Sequence, residues 1–144
     1  YIDTFVDELR WEESDSSRRD KIRALKLDKE EWKRVGSFTD LLSHADNAQQ
    51  AFSSDQVSTL HLAIPALEGL YRAWSSRANR AKYSSFSLAL HAACQKIDNY
   101  YEKTTNSPAY IMTMILDPRE KMSYFKKHWP KDLQTDVLKC IKEV

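Results

Sequence analysis

Apolar residues recur at three- and four-residue steps along most of the chain, a period that predicts helices rather than strands. Tyr1, Ile2, Phe5, Val6 and Leu9 set the first helix, through Trp11. It opens mid-pattern without a cap, as expected of a segment cut from a longer protein. Residues 12–21 are polar throughout and predict a solvated loop. Asp28 and Glu31 have the spacing of a capping box. Behind them Trp32, Val35, Phe38 or Thr39, Leu42, Ala45, Gln49 and Phe52 form one apolar stripe. Gly36 inside it either costs about 1 kcal/mol relative to alanine or marks a close helix contact.

Ser53-Ser54-Asp55 breaks the pattern, and Leu60, Ala63, Ile64, Leu67, Leu70, Tyr71 and Trp74 resume it. Pro65 lies within this third stripe. The helix either kinks there or starts near Ile64, and the kink is favoured because the apolar spacing continues through the proline. Phe86, Leu90, Ala93, Ile97 and Tyr100 or Tyr101 define a fourth helix, and Thr104–Ser107 a turn. Pro108 suits the first position of the next helix. Residues 109–116 are apolar nearly all round, as in a central helix. Asp117, Pro118 and Glu120 have the pattern of N-cap, first position and capping box for a helix carrying Met122, Phe125 and Trp129. Pro130 ends it, and Leu133, Val137 and Ile141 mark a last helix. The expected fold is all-α, a single domain formed by an irregular bundle of about six helices. Trp32, Phe52, Leu67, Leu70, Ile97, Ile111, Ile115 and Phe125 are expected in one core.

Two glycines and four prolines in 144 residues agree with helices, since hairpin turns need more glycine. Cys94 and Cys140 are widely separated on apolar positions and read as buried free thiols. No apolar run approaches the ~20 residues of a membrane span, and no signal peptide opens the chain. Cytosol or nucleus is the expected location. The net charge of +1 conceals an asymmetry. Residues 1–56 hold 13 acidic and 9 basic groups (net −4), whereas residues 57–144 hold 8 and 13 (net +5).

Catalytic and metal-binding patterns are missing from the sequence. His44, His61, His91 and His128 are scattered singly, and no glycine-rich phosphate loop occurs. The carboxylates fall on polar helix faces, where solvation accounts for them. No metal, cofactor or small-molecule substrate is expected. Arg72, Arg77, Arg80 and Lys82 do stand out, interleaved with Tyr71, Trp74 and Tyr83 without an intervening acid. Such cations can neutralise phosphates. The plainer alternative has the aromatics in the core and the cations in water, favoured by the helix C-terminus. Lys121, Lys126, Lys127 and Lys131, around Tyr124 and Trp129, pose the same choice. The DNA-contact candidates are Arg72, Arg77, Arg80, Lys82, Lys126 and Lys127.

Several ordered motifs resemble the helical region of fungal hAT-family transposases. They begin with Asp28-Lys-Glu-Glu-Trp32, Leu41-Leu42 and Gln50-Ala-Phe52. Leu62-Ala-Ile-Pro65-Ala-Leu67-Glu-Gly-Leu70 follows, then Tyr100-Tyr101 and Ser107-Pro108-Ala109-Tyr110. The last run is Leu116-Asp117-Pro118-Arg119-Glu-Lys121-Met-Ser-Tyr124-Phe125, continuing to Trp129. The resemblance spans roughly Tyr1 to Trp129. It implies a nuclear, DNA-transposing parent whose RNase-H-like catalytic acids lie before and after this segment. No residue here then inherits a catalytic role, and Asp117 is a structural cap. Two readings remain from the sequence: a non-catalytic scaffold segment that contacts DNA, or a domesticated or truncated relic that binds another protein.

Overall fold

The computed structural model describes residues 1–53, 58–105 and 107–143. Among them the chain is all-α, with eight α-helices, two 3-10 segments and no strand. It divides into two compact units, Tyr1–Asp40 and Leu41–Val144, with the boundary inside the third helix.

In the first unit, α1 (Ile2–Glu12) packs on α2 (Ser16–Arg23), and α3 begins at Lys29. The helix α2 corrects the loop expected over residues 12–21. Asp15 starts it by accepting a hydrogen bond from the Arg18 amide at 3.0 Å, while Lys21 and Arg23 complement the dipole at its end. A short polar helix therefore forms from local terms, without an apolar stripe to signal it. Lys26 pairs with Asp7 at 2.6 Å. The capping box forms as read. The Glu31 amide donates to Asp28 Oδ1 and the Asp28 amide to Glu31 Oε2, both at 2.8 Å.

The helix α3 extends from Lys29 to Phe52, but its buried face is not the predicted one. Ser37, Leu41 and Ala48 are buried, whereas Val35, Phe38 and Leu42 are 41%, 48% and 48% exposed. The buried face lies about one residue around the helix from the predicted one. Gly36 has open space around its Cβ direction, so it marks no close contact.

The second unit is organised around a helix pair. A 3-10 turn, Leu60–Leu62, leads into α4 (Ala63–Ala78), and a second, Ala81–Phe86, leads into α5 (Ser87–Thr105). Because α4 starts at Ala63, Pro65 sits in its first turn, where an amide has no intrahelical acceptor. The kink expected at Pro65 is thus replaced by a helix start. α4 and α5 pack along their length, with Glu68 opposite Tyr101 near one end. Pro108 opens α6 (Pro108–Leu116) as expected, and α6 packs against the first 3-10 turn, α5 and α8. α7 (Ser123–His128) and α8 (Lys131–Glu143) complete the unit, separated by Trp129 and Pro130.

Two apolar clusters replace the single core expected. Ile64, Ile111, Met114, Phe125, Trp129 and Val137 form the larger, with Ile115 packed against it. Leu41, Ala78, Tyr83 and Leu90 form the smaller, flanked by Trp74 and Phe86. The two draw on opposite ends of α4, because its sixteen residues outreach a single packed cluster. Ile97 is buried, Leu67, Leu70 and Trp32 are half-buried, and the Phe52 side chain lies outside the described residues. So do Ser54 and Asp55 of the expected break and Asn106 of the expected turn. Both cysteines are free, Cys94 buried and Cys140 half-buried.

Alanine at Gly36 would enter a helix interior with nothing within 4 Å of the new methyl group. We expect G36A to raise unfolding stability by about 0.5–1 kcal/mol, measured by urea denaturation.

Candidate functional site

Glu68 lies on the buried side of α4, one residue after Leu67 and one turn after Ile64. Three donors from three parts of the chain converge on its carboxylate. Tyr101 of α5 donates its hydroxyl to Oε1 at 2.7 Å. The Trp129 indole Nε1, just past α7, donates to the same oxygen at 2.7 Å. Tyr124 of α7 donates to Oε2 at 2.6 Å. The Glu68 side chain is 18% exposed, and an Arg72 guanidinium nitrogen stands 3.9 Å from Oε2. Hydrogen bonds to a charged acceptor contribute about 1.5–3 kcal/mol each, which offsets the cost of withdrawing the carboxylate from water.

The rings that deliver these donors also pack on one another. Phe125 and Trp129 meet edge to face at 4.8 Å, and Tyr101 meets Trp129 at 6.4 Å. Burial first, then the hydrogen bond to Glu68 and its charge, push the Tyr101 and Tyr124 hydroxyls well above the usual tyrosine range. They stay protonated near neutrality and serve as fixed donors. A cavity of about 340 Å³ opens beside them, walled by Tyr71, Ile97, Asp98 and His128. Glu68 accepts three hydrogen bonds and both tyrosine protons are engaged, so this arrangement ties the helices together.

Asp117 corrects the sequence reading. It follows the last residue of α6, and α7 begins only at Ser123. Its Oδ1 accepts from the Arg119 amide at 2.9 Å, and its carbonyl from the Lys121 amide at 3.0 Å. The same carboxylate holds the Arg119 guanidinium at 3.1 Å and lies 3.7 Å from His61. It therefore caps an isolated turn at 117–121 rather than a helix. The Arg119 side-chain and backbone hydrogen bonds, against the opposing effect of burial, hold its carboxyl below the usual range. Burial, then the charge of Asp98, pushes the Cys94 thiol upward.

The cations singled out in the sequence have different surroundings. Arg72 stands beside Glu68, and its Nε donates to the Glu68 carbonyl at 3.2 Å. Arg77 lies five residues on, about 140° around the helix. Its Nη1 donates to the Ala73 carbonyl at 3.1 Å, and its guanidinium lies 6.0 Å from the ring of buried Tyr83. Lys82 covers the same ring at 4.9 Å. Arg80 is exposed at the bend before the second 3-10 segment. Lys126 and Lys127 are exposed on α7.

Placing the carboxylates on solvated faces misses Glu68. The signal was present: Ile64, Leu67, Glu68 and Tyr71 follow the i, i+3, i+4, i+7 spacing, placing an acid inside an apolar stripe. Among the described residues, no three histidine, cysteine, aspartate or glutamate side chains gather as a metal site would require. No described helix is long and apolar enough to cross a membrane.

Removing the Glu68 carboxylate leaves up to three buried donors without an acceptor, at about 1–3 kcal/mol each. E68A is expected to destabilise the chain by about 3 kcal/mol or more in urea titrations. E68Q, which keeps one acceptor oxygen, should cost less. Alkaline titration gives a second check. Above the ordinary tyrosine pKa near 10, the unfolded chain releases protons that the folded chain retains, so stability falls as pH rises. Y101F and Y124F should each flatten that decline in denaturation measured from pH 9 to 11. Compared with known proteins, the chain matches no family model, no curated protein and no solved structure.

Proposed function

We propose that this chain is a non-catalytic helical scaffold segment of a hAT-type, transposase-like nuclear protein, and that it contacts DNA through exposed cations. The observation that supports the scaffold reading is the convergence on Glu68. The resembling motifs are distant in sequence, yet they supply Glu68, Tyr101, Tyr124 and Trp129 to a single hydrogen-bonded cluster. Motif residues engaged in this way hold helices in place. Asp117, the acid in the Leu-Asp-Pro motif, is likewise engaged by Arg119 and by two backbone amides of its turn.

A second reading, a relic that serves as a protein-interaction module, draws on a different observation. Ile2, Phe5, Trp11 and Leu25 of the first unit are 54%, 59%, 84% and 64% exposed. Apolar surface left open in this way suits a protein partner. A partner of that kind is compatible with the scaffold role.

The purified chain, incubated with supercoiled plasmid and magnesium or manganese, is expected to leave the plasmid intact. Two-metal cleavage needs converging carboxylates, and the two least exposed that are described, Glu68 and Asp117, are held by donors. Metal-dependent nicking that is lost in E68Q or D117N would overturn the scaffold reading.

A further inference from the structure

The segment from Pro118 to Lys131 holds Arg119, Lys121, Lys126, Lys127 and Lys131 against a single acid, Glu120. Three of those cations, Arg119, Lys121 and Lys126, line one open cavity of about 600 Å³, floored by Ile115 and Met122. Glu120 also lines it, and accepts from the Ser123 hydroxyl at 3.3 Å. Asp117 grips one edge of the Arg119 guanidinium, through Nε at 3.2 Å and Nη2 at 3.1 Å. The group is thereby oriented, with the other edge of its fork open to a second acceptor.

The backbone supplies an independent observation. Lys121 has φ of 48°, the only non-glycine positive value among the described residues. The turn closed by its amide on the Asp117 carbonyl imposes that conformation. Glycine would adopt it without strain, whereas lysine does not. A strained residue at the mouth of a basic cavity is the pattern expected where a side chain is needed for binding. Arg72 stands beside Glu68, and Arg77 and Lys82 lie over the Tyr83 ring.

We infer that the Arg119–Lys121–Lys126 cavity is an anion site that takes a phosphate of a nucleic-acid backbone. This rests on the DNA-contact part of the proposed function and moves the main contact away from the Arg72–Lys82 stretch. Lysine ammoniums act there as point charges, and the oriented guanidinium supplies directional donors. Binding is sequence-independent, because phosphates carry no base identity.

The test is fluorescence anisotropy of the whole chain with a labelled duplex of arbitrary sequence, across a salt series. K121G/K126A is the informative variant, since glycine suits the backbone at position 121 and the melting temperature should not fall. Its affinity at low salt is expected to drop on the order of tenfold, and its log–log salt slope to flatten by about 0.9, one phosphate contact's worth. Wild-type affinity retained in K121G/K126A but lost in R80A/K82A overturns the cavity assignment and leaves the DNA-contact reading standing. No binding by the wild-type chain at low salt overturns both.

Discussion

One carboxylate, Glu68, holds the second unit together. Neither of its helical neighbours is linked to α7 by chain proximity, yet α4, α5 and the end of α7 meet on its two oxygens. Dispersion among Phe125, Trp129 and Ile64 would hold these elements near one another in many orientations. Three directional hydrogen bonds select one of them. The aromatic residues contribute twice, through ring packing and through polar atoms aimed at a common acceptor. The second cluster shows the same arrangement on a smaller scale, where the Trp74 indole donates to the Leu41 carbonyl at 3.0 Å and ties α4 to the middle of α3.

What the sequence disclosed was mostly local. The capping box at Asp28 and Glu31 forms because both bonds lie within one turn, and Pro108 starts α6 because its ring fits that position without a neighbour's help. Where a residue had two local uses, the sequence could not choose between them. An aspartate before a proline caps a helix or an isolated turn with similar side-chain-to-backbone bonds, and the left-handed Lys121 decides for the turn at Asp117. Pro65 likewise fits either a kink or a first turn, and the preceding 3-10 segment settles it.

Facing was harder to read than helicity. On α3 the larger apolar residues Val35, Phe38 and Leu42 suggested the buried side, but Ser37, Leu41 and Ala48 occupy it. Leu41 is buried because Ala78, Tyr83 and Leu90, from later in the chain, cover it, and the local pattern does not contain them. The same limit hid Glu68, whose donors come from 33, 56 and 61 residues further along. Its position in an apolar stripe was visible; the groups that make the position tolerable were not. The basic cavity was half visible, as a run of lysines, while the orientation of Arg119 depends on how the 117–121 turn closes.

Those separations bear on how the chain reaches its folded state. Closing a 61-residue loop costs about 0.5 kcal/mol more entropy than closing a 33-residue loop, so Tyr101 can find Glu68 sooner than Trp129 can. The α4–α5 hairpin would then form with a carboxylate already engaged on one oxygen and still hydrated on the other. Docking of α7 strips that remaining water and delivers the last two donors together. In that order Glu68 would be a latch that closes late, with the helices fixed in register only once Tyr124 and Trp129 reach it.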